Sequence, residues 1–396
     1  MKKEVNSEAK LTFLEASGII VGHGVGAGIF TVPYLASRNS IWEILGVVAV
    51  IYCINLILHL MIAELSYNNG GAQFVKCFEN ELFKKDGPFK KIGIALVFVA
   101  LAFSVYSNVC SYITGAGEVL LTWISWPDWI PEAFRRPVAM LIFYVIAAFV
   151  VYFGLKVVGV CEKYSVMGMI IVVGVLLAAT VKNGINPLPT EHVAATNVIA
   201  LASSVSFALS AVMSTPQVVK GTGGNMKKTF GAIAVGTAIN LGLIIIVTLT
   251  TFWGVGKGID KRGAIVNLSE KLGGWVGILG FIFTLLAFGT SFWANTLNMR
   301  DIFAEQTKLN KKFCWFIASL PPLVIALLSV SDFINLSRIA GVIQVVTGIG
   351  IIVAYSRSRK KAGESPLCGR FGTLPFRIIV CLCSILATIG AVLTVK

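Results

Sequence analysis

The sequence is short of charged residues. Aspartate, glutamate, lysine and arginine make up 13% of its 396 residues, whereas a soluble domain carries about 25%. Hydrophobic residues make up 56%. These proportions exclude a soluble globular protein and predict a polytopic protein whose partner is the lipid bilayer. The net charge of +14 does not indicate binding to nucleic acid, because most lysines and arginines fall on predicted cytoplasmic loops, where they face anionic lipid.

Histidine is also scarce, with His23, His59 and His192 far apart along the chain. A membrane enzyme needs several acidic, histidine or nucleophilic side chains at one depth, and no such group is found. The eight cysteines lack the paired spacing of a metal site. No segment indicates the filter of a channel. We therefore expect no catalytic residues, no cofactor and no metal apart from a coupling ion.

Long apolar segments dominate the chain, and each approaches the roughly 20 residues that a bilayer core requires. The excess of lysine and arginine on alternate loops predicts a cytoplasmic N-terminus and a C-terminus outside. We expect one transmembrane domain over 1–396. The eleven candidate spans are about 11–37, 41–66, 91–124, 137–154, 164–182, 194–218, 229–254, 272–299, 313–329, 335–355 and 373–394.

Four glycines and His23 lie in the middle of the first span, at 22–28. Each glycine costs about 1 kcal/mol relative to alanine in a helix, and a histidine at this depth needs partners that lipid cannot supply. Non-helical backbone is tolerated there only inside protein or beside water. We predict a broken first helix and a binding site near the membrane midplane, as in secondary transporters. The alternative is an intact helix whose glycines form a packing face.

The sixth span is unusually rich in serine and alanine, with four serines at 203–210. A second weakened helix here is what a five-plus-five inverted repeat predicts. The repeats would cover about 11–182 and about 194–355, followed by an extra helix at about 373–394. Serines can also lie in an intact helix, bonded to the preceding turn.

Two hydroxyl side chains share one face of the eighth span. Ala287, Thr290 and Ser291 fall at i, i+3 and i+4, the spacing of neighbours on a helix. Hydroxyl and carbonyl oxygens suit an alkali cation, and the broken first span could supply further carbonyls opposite. The alternative is that Thr290 and Ser291 form ordinary hydrogen bonds between helices.

Several motifs in order resemble the bacterial hydroxy/aromatic amino acid permeases, which belong to the amino acid/auxin permease group of the amino acid–polyamine–organocation superfamily. The match runs from about residue 12 to 355. The segments that carry it are Gly26-Ala27-Gly28-Ile29-Phe30-Thr31-Val32-Pro33-Tyr34, Tyr112-Ile113-Thr114-Gly115-Ala116-Gly117, Gly223-Gly224-Asn225-Met226-Lys227-Lys228, Gly236-Thr237-Ala238-Ile239-Asn240, Leu286-Ala287 through Thr290-Ser291-Phe292, Arg300-Asp301, Pro321-Pro322 and Phe333 to Gly341.

The resemblance implies an all-α protein with about eleven transmembrane helices and the leucine-transporter-like fold, in which helices one and six are broken. It implies a sodium site formed by Gly22, Val25, Ala287, Thr290 and Ser291. It also implies that free amides of the first break hold the substrate carboxylate and that helices three and six select its side chain. The substrate-binding candidates are His23, Gly24, Gly26, Ala27, Gly28, Tyr106, Asn108, Ser206, Phe207, Ala208 and Ser210.

Two features leave the substrate and the coupling ion open. The aromatic permeases usually carry Phe-Gly-Phe-His in helix six, where this chain has Phe-Ala-Leu-Ser at 207–210. Proton-coupled relatives can retain the threonine–serine pair, and His23 could carry a proton because histidine titrates near physiological pH. Glu118 and Arg338 are intramembrane charges that could pair as an outer gate, although either could also reach the interface alone.

Together these observations predict a sodium- or proton-coupled symporter that imports a neutral L-amino acid (aromatic, hydroxy or small) by alternating access. We expect it in a bacterial-type cytoplasmic membrane, functional as a monomer, with no nucleic-acid partner. The alternative is an amino-acid-sensing receptor subunit that keeps the permease fold without transport.

Overall fold

A computed structural model describes residues 5, 10–26, 28–83, 86–260, 263–328, 333–363 and 365–392, without the side chains of 28, 30, 31, 333–346 and 391–392. Helices are the only regular secondary structure in these residues, and loops and turns connect them. The α-helices are α1 Phe13–Gly24, α2 Gly28–Ala36, α3 Ile41–Asn68, α4 Phe74–Leu82, α5 Pro88–Trp123, α6 Glu132–Tyr152, α7 Leu155–Asn183, α8 Ala195–Ala208, α9 Thr215–Gly221, α10 Met226–Val255, α11 Ala264–Leu272, α12 Trp275–Thr307, α13 Lys311–Leu327, α14 Phe333–Ala362 and α15 Leu374–Val392. Short 3-10 helices cover Val212–Ser214, Gly256–Gly258 and Gly369–Gly372.

Seven segments of the described chain are long and apolar enough to cross a membrane. They are α3, α5, α6, α7, α10, α12 and the stretch from α8 through α9. The remaining predicted spans correspond to the α1–α2 pair and to α13, α14 and α15. The polytopic, all-α prediction is therefore confirmed, while the number eleven stays a prediction.

The first and third helices both begin with a capping box. At the start of α1 the Thr12 hydroxyl accepts from the Glu15 N–H (3.3 Å), and the Glu15 carboxylate accepts from the Thr12 N–H (2.7 Å). Ser40 and Glu43 repeat this arrangement at α3. Each box satisfies two backbone donors that the first turn of a helix leaves without partners, and so fixes where α1 and α3 begin.

Helix α1 lies in the interior, packed against α7, α10 and α12. Glycines let these helices approach it closely. A Cβ at Gly18 would lie 3.0 Å from the backbone nitrogen of Lys163, and one at Gly236 would lie 2.7 Å from Cβ of Ile20. Small residues at such contacts let helix backbones pack tightly in lipid. A helix this enclosed is positioned by its neighbours as far as its last turn.

Candidate functional site

The first break begins where α1 ends at Gly24, and α2 starts at Gly28. A helix leaves its last four carbonyls without intrahelical donors. The Val25 N–H bonds the Val21 carbonyl (2.8 Å), and the Gly26 N–H bonds the Gly24 carbonyl (2.9 Å). The other two carbonyls of this turn, those of Gly22 and His23, accept no backbone hydrogen bond from the described residues. The predicted break of the first helix is confirmed.

Three glycines of this break lie directly against polar side chains of other helices. A Cβ at Gly22 would collide with Oε2 of Glu162 and lie 2.9 Å from Cβ of Thr290. A Cβ at Gly24 would collide with the Asn240 amide nitrogen, and one at Gly26 would lie 3.5 Å from Oγ of Ser291. The break is thus lined by oxygen and nitrogen groups, and at Gly22 and Gly24 these groups leave no room for a Cβ.

The residues predicted to form the ion site meet across α1 and α12. Thr290 and Ser291 are fully buried, and Ala287 and Val25 are each 1% exposed. The Thr290 hydroxyl donates to the Ala287 carbonyl (3.0 Å), and the Ser291 hydroxyl interacts with the Tyr112 side chain. The structure therefore places Thr290 beside Gly22 and Ser291 beside Gly26. These oxygens fit an alkali cation, which prefers hard ligands.

Glu162 is a member of this cluster that the sequence analysis missed. Its side chain is fully buried, and neither carboxylate oxygen has a hydrogen-bond partner among the described residues. It lies two helical turns into α7, which begins at Leu155. The predicted span began at 164, which placed Glu162 in a loop. The apolar run at 157–161 is the signal that would have extended the helix.

The second break separates α8, which ends at Ala208, from α9, which begins at Thr215. Its backbone is held by side chains from other helices. Nε2 of His59, on α3, accepts from the Ala211 N–H (2.8 Å), and the Asn298 amide of α12 donates to the Met213 carbonyl (2.7 Å). Since Nε2 accepts, Nδ1 carries the proton that it donates to the Asn55 carbonyl (2.5 Å). The predicted break of the sixth helix is confirmed.

His59 and Asn298 were not among the predicted site residues. A lone histidine or asparagine in an apolar segment gives no signal of its partner, which here is a backbone group far along the chain.

A direct side-chain contact joins the two breaks. Nδ1 of the half-buried His23 lies 2.6 Å from the Ser214 hydroxyl. On the other side, a Cβ at Gly24 would lie 3.4 Å from the Ala208 carbonyl, which ends α8. The chain ends of both broken helices therefore face each other in the middle of the protein.

The remaining substrate candidates differ in burial and in their hydrogen-bond partners. Oγ of Ser206 accepts from the Asn55 amide (3.4 Å), and Ser210 is half-buried within the second break. Asn108 is buried, but Phe207 is 45% exposed. The Tyr106 hydroxyl donates to a carbonyl of α13, that of Ile317 (2.6 Å).

Two further substrate candidates follow Gly26 in the chain. Gly28 begins α2, and Ala27 lies outside the described residues. The substrate role of each candidate stays a prediction.

Of the two residues predicted to form an outer gate, Glu118 has a described side chain. The Glu118 carboxylate accepts from Nε of Arg136 (2.5 Å), and the two side chains are 51% and 33% exposed. The side chain of Arg338 lies outside the described ones. A Glu118–Arg338 pair therefore stays a prediction, in which Arg136 would compete for the same carboxylate.

Buried polar contacts tie the second break to the predicted cytoplasmic end of α12. The Asn298 amide that holds Met213 also donates to the Gln73 side chain (2.9 Å). Nη2 of Arg300 donates to Asp301 (2.7 Å), and Nζ of Lys220, on α9, lies 4.0 Å from Asp301. These contacts join α9, α12 and the chain before α4 on one side of the breaks.

The fold is the leucine-transporter-like fold. The chain superimposes on a crystal structure of MhsT in complex with L-phenylalanine with a TM-score of 0.62, at 16% identity, over 97% of this chain and 99% of that one. It superimposes on MHP1, a nucleobase-cation-symport-1 family transporter in a closed conformation with bromovinylhydantoin bound, with a TM-score of 0.63, at 12% identity, over 98% and 92%.

The sequence then identifies the family. The model of the tryptophan/tyrosine permease family matches residues 10–390, and the chain belongs to this family. It is similar to the tryptophan-specific transport protein of Pseudomonas aeruginosa (strain UCBPP-PA14), at 22% identity over 96% of this chain and 94% of that protein. The protein is a multi-pass amino acid transporter and not an enzyme, as the sequence analysis predicted.

Proposed function

We propose that this permease is a secondary active symporter that imports a neutral L-amino acid together with Na⁺ or H⁺ by alternating access. The observation that carries the proposal is the pair of breaks that face each other, joined by His23 and Ser214 (2.6 Å). Thr290 and Ser291 lie beside the first break, and with carbonyls of that break they would suit a cation. The start of α2, at Gly28, leaves backbone amides that would suit a carboxylate.

The substrate would lie between the breaks. Its carboxylate would bind the free amides before α2, where the positive end of the helix dipole favours an anion. Its side chain would face Ser206, Ala208 and Ser210 on the α8 side. The family description and the tryptophan-specific relative favour an aromatic substrate among the neutral amino acids.

We place the chain in the amino acid–polyamine–organocation superfamily, as a monomer with a cytoplasmic N-terminus. The two repeats would then be related by inverted topology, and the contacts among Lys220, Asn298 and Asp301 would close the cytoplasmic side. Opening that side would require these contacts to part.

The proposal is tested by electrical currents from proteoliposomes on a solid-supported membrane, with each common L-amino acid pulsed in sodium and then in choline buffer. A sodium-dependent current identifies the substrate and supports sodium symport. A current that survives in choline and collapses without a pH gradient supports proton symport. Measurable amino acid binding with no current under either condition contradicts transport and supports the receptor alternative.

A further inference from the structure

Two buried amide side chains connect the second break to α4. Asn298, on α12, and Gln73, the N-cap residue of α4, are both fully buried. The amide nitrogen of Asn298 donates to the Met213 carbonyl (2.7 Å) and to Oε1 of Gln73 (2.9 Å). Because this nitrogen faces two oxygens, the hydrogen bonds determine which way the Asn298 amide is turned. One side chain therefore holds both the second break and the start of α4.

The two amides make only half of the hydrogen bonds that they offer each other. Two amide side chains in contact can exchange two bonds, one in each direction. Here Oδ1 of Asn298 and Nε2 of Gln73 have no partner within the described part of the chain. Buried polar groups left in this way are costly. A pair that served only to fix α4 in place would be expected to make both bonds.

Gln73 is directed toward α12 by its backbone as well as by its side chain. Its side chain makes no capping bond to α4, although it stands at the N-cap position. Its N–H donates to the carboxylate of Glu305 (2.9 Å), near the end of α12. The residue that precedes α4 thus contacts α12 at two points, and it does so at the cost of a cap for its own helix.

Helix α4 is in turn fixed to the end of α14. Nη1 of Arg357 donates to the carbonyls of Glu81 (3.2 Å) and Leu82 (3.1 Å), in the last turn of α4, where a helix leaves its carbonyls without donors. Nζ of Lys361 lies 2.6 Å from the Glu81 carboxylate. These contacts make α4 and the end of α14 a single unit.

The end of α3 belongs to the same unit. Glu64 is fully buried, and its carboxylate accepts from four donors of α14 and of the loop that follows it. The donors are the hydroxyls of Tyr355 (3.2 Å) and Ser365 (2.9 Å) and the amides of Leu367 (3.3 Å) and Cys368 (3.1 Å). We call this assembly of α4 with the ends of α3 and α14 the α4–α14 unit. The Gln73–Asn298 pair links it to the second break.

We propose that Asn298 is a positioning residue that couples the second break to the α4–α14 unit by changing its hydrogen-bond partners. With the break as it stands here, the amide nitrogen is shared between Met213 and Gln73. When the break moves and Met213 leaves, Asn298 turns and makes both hydrogen bonds with Gln73. The inference rests on the proposed function, in which the breaks move during alternating access, and it names the residue that relays this movement to α4.

The experiment measures hydrogen–deuterium exchange of backbone amides in the purified full-length protein, without substrate. Gln73→Met keeps the length of the side chain and removes its amide. Exchange at 209–221 should become about two- to tenfold faster, as expected for the loss of one hydrogen bond. Asn80→Leu is the matched control. Asn80 also joins α4 to another amide, that of Asn69 (3.0 Å), but not to the break, so exchange at 209–221 should be unchanged.

Uptake of L-tryptophan into proteoliposomes distinguishes coupling from a merely structural role. Gln73→Met should lower kcat by about threefold or more and leave KM within about twofold of the wild-type value, because Gln73 lies outside the proposed substrate site. Asn298→Leu should also slow uptake. Adding Gln73→Met to Asn298→Leu should then change neither exchange nor uptake further, since residues that act as one pair have non-additive effects.

Thermal unfolding of each variant tests whether it is folded. If Gln73→Met does not fold, Gln73→Asn takes its place, with an amide that is one carbon too short to reach Asn298. Equal exchange at 209–221 in wild type and the folded Gln73 variant would overturn the inference. So would additive effects of Gln73→Met and Asn298→Leu, and the proposed symport would stand in both cases. Exchange that depends on Gln73 in a protein that takes up no amino acid would support the inference and contradict the proposed function.

Discussion

The two helix breaks satisfy their backbone in opposite ways. At the second break, His59 and Asn298 supply the partners that Ala211 and Met213 lost when the helix ended. At the first, the Asn240 amide donates to the Ile20 carbonyl (3.3 Å), and Glu162, Thr290 and Ser291 lie against the backbone with no hydrogen bond to it among the described residues. The backbone of the second break is thus held by side chains at its centre, whereas that of the first is less fully bonded and leaves groups for a ligand. From this comparison we infer that the second break holds the site in place and that the first break supplies the groups that bind the ligand.

The largest effect is expected from His59→Ala, at the second break. The substitution leaves the Ala211 N–H without its partner, removes the imidazole bond to the Asn55 carbonyl and opens a cavity at a fully buried position. Unpaired buried groups cost about 1–3 kcal/mol, and the cavity adds to this. We expect a clear fall in thermal stability, measured by intrinsic fluorescence in detergent, and loss of uptake.

The control for this test is His192→Ala, since the His192 side chain is 54% exposed and paired with Glu43 at the surface. It should unfold close to the wild-type temperature. If His59→Ala is as stable as His192→Ala, the second break does not depend on its histidine and the contrast between the breaks is lost.

An intermediate effect is expected from Gly22→Ala, at the first break. The added methyl group would collide with Glu162 and crowd Thr290, and overpacking of this kind costs about 1–3 kcal/mol. We expect the cost to appear as weaker ion binding and slower uptake, because the displaced groups are those of the proposed site. The measurement is ²²Na⁺ affinity alongside amino acid uptake.

Gly46→Ala gives the matched comparison, because a Cβ there would meet nothing within 4 Å. Alanine stabilises a helix by about 0.5–1 kcal/mol relative to glycine, so this variant should be at least as stable as wild type and transport normally. Similar uptake by the two glycine variants would show that the room beside Gly22 is not used.

The smallest effect is expected from Thr290→Val, which keeps the shape of the side chain and removes one oxygen. The concentration of Na⁺ that gives half-maximal uptake should rise by about tenfold, equivalent to 1.4 kcal/mol, with little change in unfolding temperature. Thr284→Val is its control on the same helix, where the hydroxyl bonds only the Gly280 carbonyl (2.7 Å). An equal shift in both variants would assign the effect to α12 and not to the site.

The sequence predicted the fold and the two breaks because their signals are local. Glycines at 22–28 weaken a helix wherever they occur, and apolar length alone defines a membrane span. The hydroxyls of Thr290 and Ser291 were found in the same way, from their shared helical face.

What the sequence could not predict depends on contacts between distant segments. Glu162 is informative only once α7 is known to start at Leu155 and to pack on α1 beside Gly22. His59 gains its role from the Ala211 amide, which no periodicity links to it. Glu64 and Glu162 look alike in the sequence, and only their surroundings distinguish a satisfied carboxylate from an open one.

The buried Glu162 carboxylate has an electrical consequence. If the coupling cation of the proposed symport binds this carboxylate, the pair is neutral and the membrane voltage exerts little force on the loaded carrier. If the carboxylate is ionised in the empty carrier, one negative charge remains inside the membrane, where a full crossing is worth about 2.3 kcal/mol per 100 mV. In a cell with a negative interior, the voltage would therefore drive the return of the empty carrier to its outward-facing state, and hyperpolarisation would accelerate the half of the cycle in which nothing is carried.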